Sequence, residues 1–148
     1  MQNVIDELEP KIRNTQAKIE IGELPTVMGD RSNLTQLFQN LLQNALKFHS
    51  PKRSLVIKIY SSTIKNKLSE DFHQIVIADN GIGFESIDEE KIFSPFHRLH
   101  SYDKYEGTGL GLAICQKIVE NHQGEIKAQS MPDEGAKFTV FLPNVHQS

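Results

Sequence analysis

A chain of 148 residues, 38% hydrophobic and 24% charged, fits one soluble globular domain with a core of useful size. A net charge of −3 with no basic block argues against a nucleic-acid surface, and a single cysteine, Cys115, excludes a disulfide framework and a Cys-based zinc site and suits a reducing, cytoplasmic setting. Direct membrane contact is not expected, because no apolar run approaches spanning length and the N-terminus lacks a signal-peptide pattern.

In chain order, Asn3 to about Asn14 reads as a helix, with Val4, Ile5, Leu8 and Ile12 at helical spacing. Ala17, Ile19 and Ile21 then alternate with charged residues as in a half-buried strand, and Gly22 and Pro25 punctuate a turn before a short Val27-Met28 strand. Asp30 or Ser32 can cap the next helix, which runs to about Phe48. Its apolar stripe is Leu34, Leu37, Phe38, Leu41, Leu42, Ala45 and Phe48. The adjoining stripe carries Gln36, Asn40, Asn44 and Lys47 within about 80° at 100° per residue. Asparagines weaken a helix interior, so these two need a reason: two amides and a lysine one turn apart can hold a cation and an anion together. A solvated polar face is the plain alternative.

Ser50-Pro51 ends that helix, and Leu55 to Ser62 reads as a strand. Lys65 to Asp71 is a polar hairpin loop, followed by the β-branched run Gln74 to Ala78, a second strand. It leads into Asp79-Asn80-Gly81-Ile82-Gly83-Phe84. Neither glycine has a side chain to keep a flat ligand from the backbone, and an ionised carboxylate only accepts hydrogen bonds. Asp79 at the bottom of a pocket therefore prefers adenine, which offers an amino donor, to guanine, which offers a carbonyl. The competing reading is an ordinary hairpin turn.

Residues 85–106 lack sustained periodicity, and a connection of this length is a functional lid or disordered. Phe93 and Phe96 within it serve either the core or the packing of a lid hinge. Gly107-Thr108-Gly109-Leu110-Gly111-Leu112 then opens a helix over Ala113 to Glu120, and exposed amides at a helix N-terminus make a phosphate seat. Ile114, Ile118 and Val119 form its buried face, Cys115 packs rather than reacts, His122 caps, and Gly124 closes the helix. Glu125 to Ser130 and Lys137 to Leu142 make a final hairpin. The Walker pattern, the dinucleotide G-x-G-x-x-G, a serine-type triad and H-E-x-x-H are all missing from the sequence. His97 and His100 lie three apart with no further ligand beside them.

Four motifs now stand in order: QLFQNLLQNALKF, DNGIGF, IFSPFHRLH and GTGLGLAICQKIVENHQGEI, closed by EGAKFTVFLP. From about Leu24 to Pro143 the chain resembles the catalytic, ATP-binding domain of sensor histidine kinases, in the group shared with gyrase, Hsp90 and MutL. Its style is closest to the phytochrome-like kinases. The resemblance implies a two-layer α/β sandwich, a mixed sheet covered on one face by helices, with an ATP lid. It implies that Asp79 binds the adenine amino group and that Gly81, Ile82 and Gly83 shape the base pocket. Asn44 would ligate Mg²⁺ with Asn40 in support, Lys47 would contact phosphate, and Phe48 would lie beside the nucleoside. Phe93, Arg98, Gly107, Thr108, Gly109, Leu110, Gly111 and Leu112 would complete the nucleotide site.

The reaction implied is γ-phosphoryl transfer from ATP to a histidine on a separate dimerisation domain, with a response regulator downstream. None of the six histidines here sits in a phosphoacceptor pattern such as H-E-[LF]-[RK]-x-P. The chain thus reads as a single catalytic domain, residues 1–148, with 1–16 the remnant of a connection to a missing dimerisation domain. It is expected to be monomeric alone and homodimeric in the full-length protein. The alternatives are an ATP hydrolase of the gyrase, Hsp90 or MutL type, an anti-sigma serine kinase, or an inactive nucleotide-binding module. The first two usually carry a glutamate as base where this chain has Asn40, which cannot take a proton.

Overall fold

A computed structural model describes residues 2–25, 27, 29–65, 68, 70–83, 91–93, 111–131 and 133–144. Helix α1 spans Gln2–Thr15, strand β1 Lys18–Ile21, helix α2 Arg31–Lys47, β2 Val56–Lys65 and β3 Asp71–Asp79. A 3₁₀ turn covers Lys91–Phe93, followed by α3 over Gly111–Asn121, β4 over Glu125–Met131 and β5 over Gly135–Pro143. The described strands form one mixed sheet of five in the order β1-β2-β3-β5-β4, with β1 parallel to β2 and the other pairs antiparallel.

The period of two along each strand decides which face the helices cover. Ile57 and Ile59 of β2, Ile75 and Ile77 of β3, Phe138 and Val140 of β5, and Ile126 and Ala128 of β4 all point into one core. Lys58 and Tyr60 alternate with them on the outer face and are exposed. Against the inner face lie α2, through Leu34, Leu37, Leu41, Leu42, Ala45 and Leu46, and α3, through Cys115, Ile118 and Val119. Helix α1 adds Val4 and Leu8 to the same core, each 3% exposed. Phe93 joins it edge-on to Phe138, with ring centroids 6.3 Å apart.

Several expectations change. Val27 lies outside any strand and packs partly buried against the core, and Met28 is not among the described residues. Ile114 is 36% exposed, and Cys115, fully buried, takes the core position one residue on. At the end of α3 the left-handed residue is Gln123 (φ 58°), not Gly124. Gly124 is required instead by crowding, because a Cβ there would run into the Phe141 carbonyl. The hairpin reading of Asp79 to Gly83 also fails, because β3 pairs with β2 and β5 and the chain leaves the sheet after it.

Candidate nucleotide-binding site

Asp79 is the last residue of the central strand β3, opposite Ile57 of β2 and Ala136 of β5. Its parity is that of Ile75 and Ile77, so a carboxylate stands at the end of an apolar row under the helices. Burial pushes its carboxyl up to about 6, against a pull downward from the backbone amides of Gly81 and Ala136. The Gly81 N–H donates to Asp79 Oδ1 at 2.8 Å.

Two close approaches fix the turn that follows. Gly81 sits against the last residue of α2's cap, where an added Cβ would collide with the Phe48 carbonyl oxygen. That oxygen accepts from the Ile82 N–H at 2.9 Å. On the other side Gly135 (φ 115°) abuts the Asp79 carbonyl so closely that no Cβ fits. Gly83 takes a left-handed φ of 67°, which suits glycine. The turn is thus wedged between the C-terminus of α2 and the start of β5.

Helix α2 begins where Asp30 accepts from the Asn33 N–H at 2.9 Å, a cap worth about 1 kcal/mol. It ends with Phe48 as C-cap, its N–H donating to the Asn44 carbonyl. Asn40, Asn44 and Lys47 are all half-buried along one stripe, whereas Gln36 is exposed. The Lys47 ammonium lies 5.3 Å from the Phe48 ring centroid, a cation–π contact at the cap. Among the described residues the Asn44 side-chain amide has no hydrogen-bond partner. A half-buried free amide inside a helix suits a ligand oxygen or a hard cation, so the donor set fits magnesium.

Asn40 faces α3 instead. Its Nδ2 reaches the Gly111 carbonyl at 3.5 Å, the outer limit of a hydrogen bond, and its amide also touches the Cys115 thiol. Burial pushes that thiol up to about 12, so Cys115 is a packing residue and no nucleophile. Gly111 itself has open space where a Cβ would stand. Leu112 packs partly buried on the core. His122 does more than cap: Nε2 accepts from the Asp30 N–H at 3.0 Å, which leaves Nδ1–H to donate to the Ile118 carbonyl at 2.8 Å. One ring therefore joins the end of α3 to the start of α2.

Residues 29–146 match the family described as histidine kinase-, DNA gyrase B- and HSP90-like ATPase. The chain belongs to this family. The phytochrome-like protein Cph1 of Synechocystis sp. is 44% identical over 147 residues, which cover 97% of this chain and 19% of that protein. The mycobacterial sensor histidine kinase MprB has the same fold at a TM-score of 0.77, with 28% identity over 97% of this chain and 93% of that one. Histidine kinase ThkA, solved in complex with the response regulator protein TrrA, matches at a TM-score of 0.74 and 28% identity, over 97% of this chain and 39% of that one. The chain thus spans about a fifth of the length of the phytochrome-like relative. Within the family it is an ATP-binding catalytic domain of the sensor histidine kinase type, and the helix-covered mixed sheet is that domain's fold.

The structure brings Asp79, Gly81, Ile82 and Gly83 to the C-terminal end of α2, where Asn44, Lys47 and Phe48 stand, and sets Asn40 against Gly111. Phe93 is buried under the sheet rather than facing outward. Arg98, Gly107, Thr108, Gly109 and Leu110 lie outside the described residues, as do Phe96, His97, His100 and the rest of the expected lid. Sequence reading passed over Arg53, Asp133 and Gly135, which hold the turn from behind. Gly135 had a signal, as the glycine opening the last strand; Arg53 and Asp133 had none stronger than two charges in loops. No helix among the described residues is long and apolar enough to cross a membrane.

Proposed function

We propose that this domain binds ATP with Mg²⁺ between the turn after β3 and the C-terminal half of α2, and passes the γ-phosphoryl group to a histidine on a separate helical dimerisation domain. The observation that carries the reading is the Asp79 carboxylate, sunk at the end of an apolar strand face beside a wedged glycine turn. It accepts a hydrogen bond from the adenine amino group, whereas a guanine carbonyl in the same place sets one acceptor against another. Phe48 flanks the nucleoside, Lys47 neutralises phosphate charge, and the free Asn44 amide oxygen takes one coordination position of magnesium. Held there, magnesium would supply charge neutralisation at the phosphate oxygens.

What remains for the protein is placement. Asn40 cannot take a proton from water, and its amide is turned to Gly111 and Cys115. A neutral imidazole needs no base to attack, so transfer to histidine is favoured over hydrolysis. Arg98 and the run Gly107, Thr108, Gly109, Leu110, Gly111 and Leu112 complete the phosphate side of this reading, whereas Phe93 serves the core. A response regulator takes the phosphoryl group onward, as ThkA's complex with one suggests. The parent is a homodimer acting in the cytoplasm, and the isolated domain is a monomer. Phosphate release from ATP by the chain alone tests the reading. Slow release supports it. Rapid release that Asn44→Ala abolishes overturns it in favour of a hydrolase.

A further inference from the structure

Behind the turn lies a cation that the site does not use. Arg53 follows α2 in the loop to β2 and keeps a third of its side chain exposed. Its Nε donates to the Asn80 carbonyl at 2.6 Å, and its Nη2 donates to the Gly81 carbonyl at 3.0 Å and to the Asp133 carbonyl. Three main-chain acceptors from two distant segments thus converge on one guanidinium. The Asp133 carboxylate stands 3.5 Å away and is more than half exposed, so that ion pair contributes little by itself.

The geometry of the peptide group gives these contacts their meaning. The Asn80 carbonyl and the Gly81 N–H belong to one planar unit and point in opposite directions. Arg53 grips the carbonyl end, and the Asp79 carboxylate grips the amide end at 2.8 Å. The next unit repeats the pattern: Arg53 holds the Gly81 carbonyl, and the Phe48 carbonyl holds the Ile82 N–H at 2.9 Å. The Ile82 carbonyl accepts from the Asp133 N–H at 2.6 Å. Asn80 pins the start of the turn, accepting from the Val56 N–H at 2.8 Å and donating to the Ser54 carbonyl at 2.9 Å.

We propose that Arg53 is a positioning residue for base recognition: through the 80–81 peptide plane it sets the direction in which the Asp79 carboxylate faces. This rests on the reading of Asp79 as the adenine acceptor. A planar fork satisfies two adjacent carbonyls at once, and a donor at one end of a peptide polarises the N–H at the other. Lysine keeps the charge and lacks the fork, so it is not an equivalent substitute.

Titration calorimetry with MgATP and MgGTP, on wild type, Arg53→Lys and Arg53→Gln, decides this, with thermal melting as a separate check on the fold. Expected is a loss of about tenfold in ATP affinity for both variants, a fall of similar size in the ATP-to-GTP ratio, and little further loss when Asp79→Asn is added. A merely structural role would lower the melting temperature and leave that ratio and its coupling to Asp79 unmoved. Wild-type affinity and selectivity in Arg53→Lys, or losses that add fully with those of Asp79→Asn, overturn the proposal alone. A wild-type chain that binds ATP no better than GTP overturns the adenine reading, and the proposal with it.

Discussion

Replacing Asp79 by asparagine should move stability and nucleotide affinity in opposite directions. Burial holds the Asp79 carboxyl at about 6 against an ordinary 3.8. Between those values the folded chain keeps a proton that the unfolded chain has lost, so stability falls as pH rises, and the loss is complete above about 6. Two units are worth about 3 kcal/mol at 1.36 kcal/mol per unit. Asp79→Asn escapes this penalty and keeps one oxygen for the Gly81 N–H, but its new amide donors lack a partner at a cost of about 1–3 kcal/mol. Near pH 8 the variant should therefore be as stable as wild type or up to about 2 kcal/mol more stable. Near pH 4 it should be the less stable of the two. ATP binding should weaken meanwhile by about 1.5–3 kcal/mol, roughly ten- to a hundredfold, because a charge-assisted acceptor is lost. Urea unfolding at the two pH values and calorimetry with MgATP read both quantities. A stability difference that stays constant from pH 4 to pH 8 would refute the claim that a buried ionised carboxylate sits in this turn.

Asn44→Ala should abolish the tightening of ATP binding by Mg²⁺ with melting unchanged, and normal tightening in a magnesium titration would move the metal role elsewhere. ATP affinity should rise about tenfold as pH climbs through about 6, since the ionised Asp79 is the stronger acceptor, and a flat profile by calorimetry would count against that role. Gly81→Ala should destabilise the fold by about 1–3 kcal/mol through its clash with the Phe48 carbonyl, whereas Gly111→Ala should melt like wild type, and denaturant curves compare the two. Cys115 should resist alkylation in the folded chain near pH 8 and react at once in urea; fast labelling of the native protein by mass spectrometry would contradict its burial.

The elements most legible in the sequence were those with a strong period. Leu34, Leu37, Leu41 and Leu42 announced α2 and its buried stripe, and the β-branched run into Asp79 announced β3, because periodicity reports burial directly. Ile114 was misplaced on the buried face because neighbouring helix positions differ by only about 100°, while the packing role read for Cys115 agrees with its burial. Gly124 shows a different limit. Its glycine is imposed by the Phe141 carbonyl across the sheet, a contact invisible to local turn rules. Arg53 was illegible for the same reason. Its partners at 80, 81 and 133 are distant in sequence, and nothing in Pro51-Lys52-Arg53 distinguishes a structural guanidinium from a solvated charge. Asp79 and Asn44 stood out as candidates because a carboxylate ending an apolar strand and an amide inside a helix both run against local preference.

The central claim, that the chain is the phosphoryl-donating half of a two-part kinase, is tested most directly with radiolabelled ATP, the chain alone, and the chain with a helical dimerisation domain of its own parent supplied separately. Label should appear on the helical domain only when both are present, in a bond that is labile to acid and stable to alkali, and should vanish with Asn44→Ala. Label that stays off the helical domain while the chain alone releases phosphate rapidly into water would contradict the account.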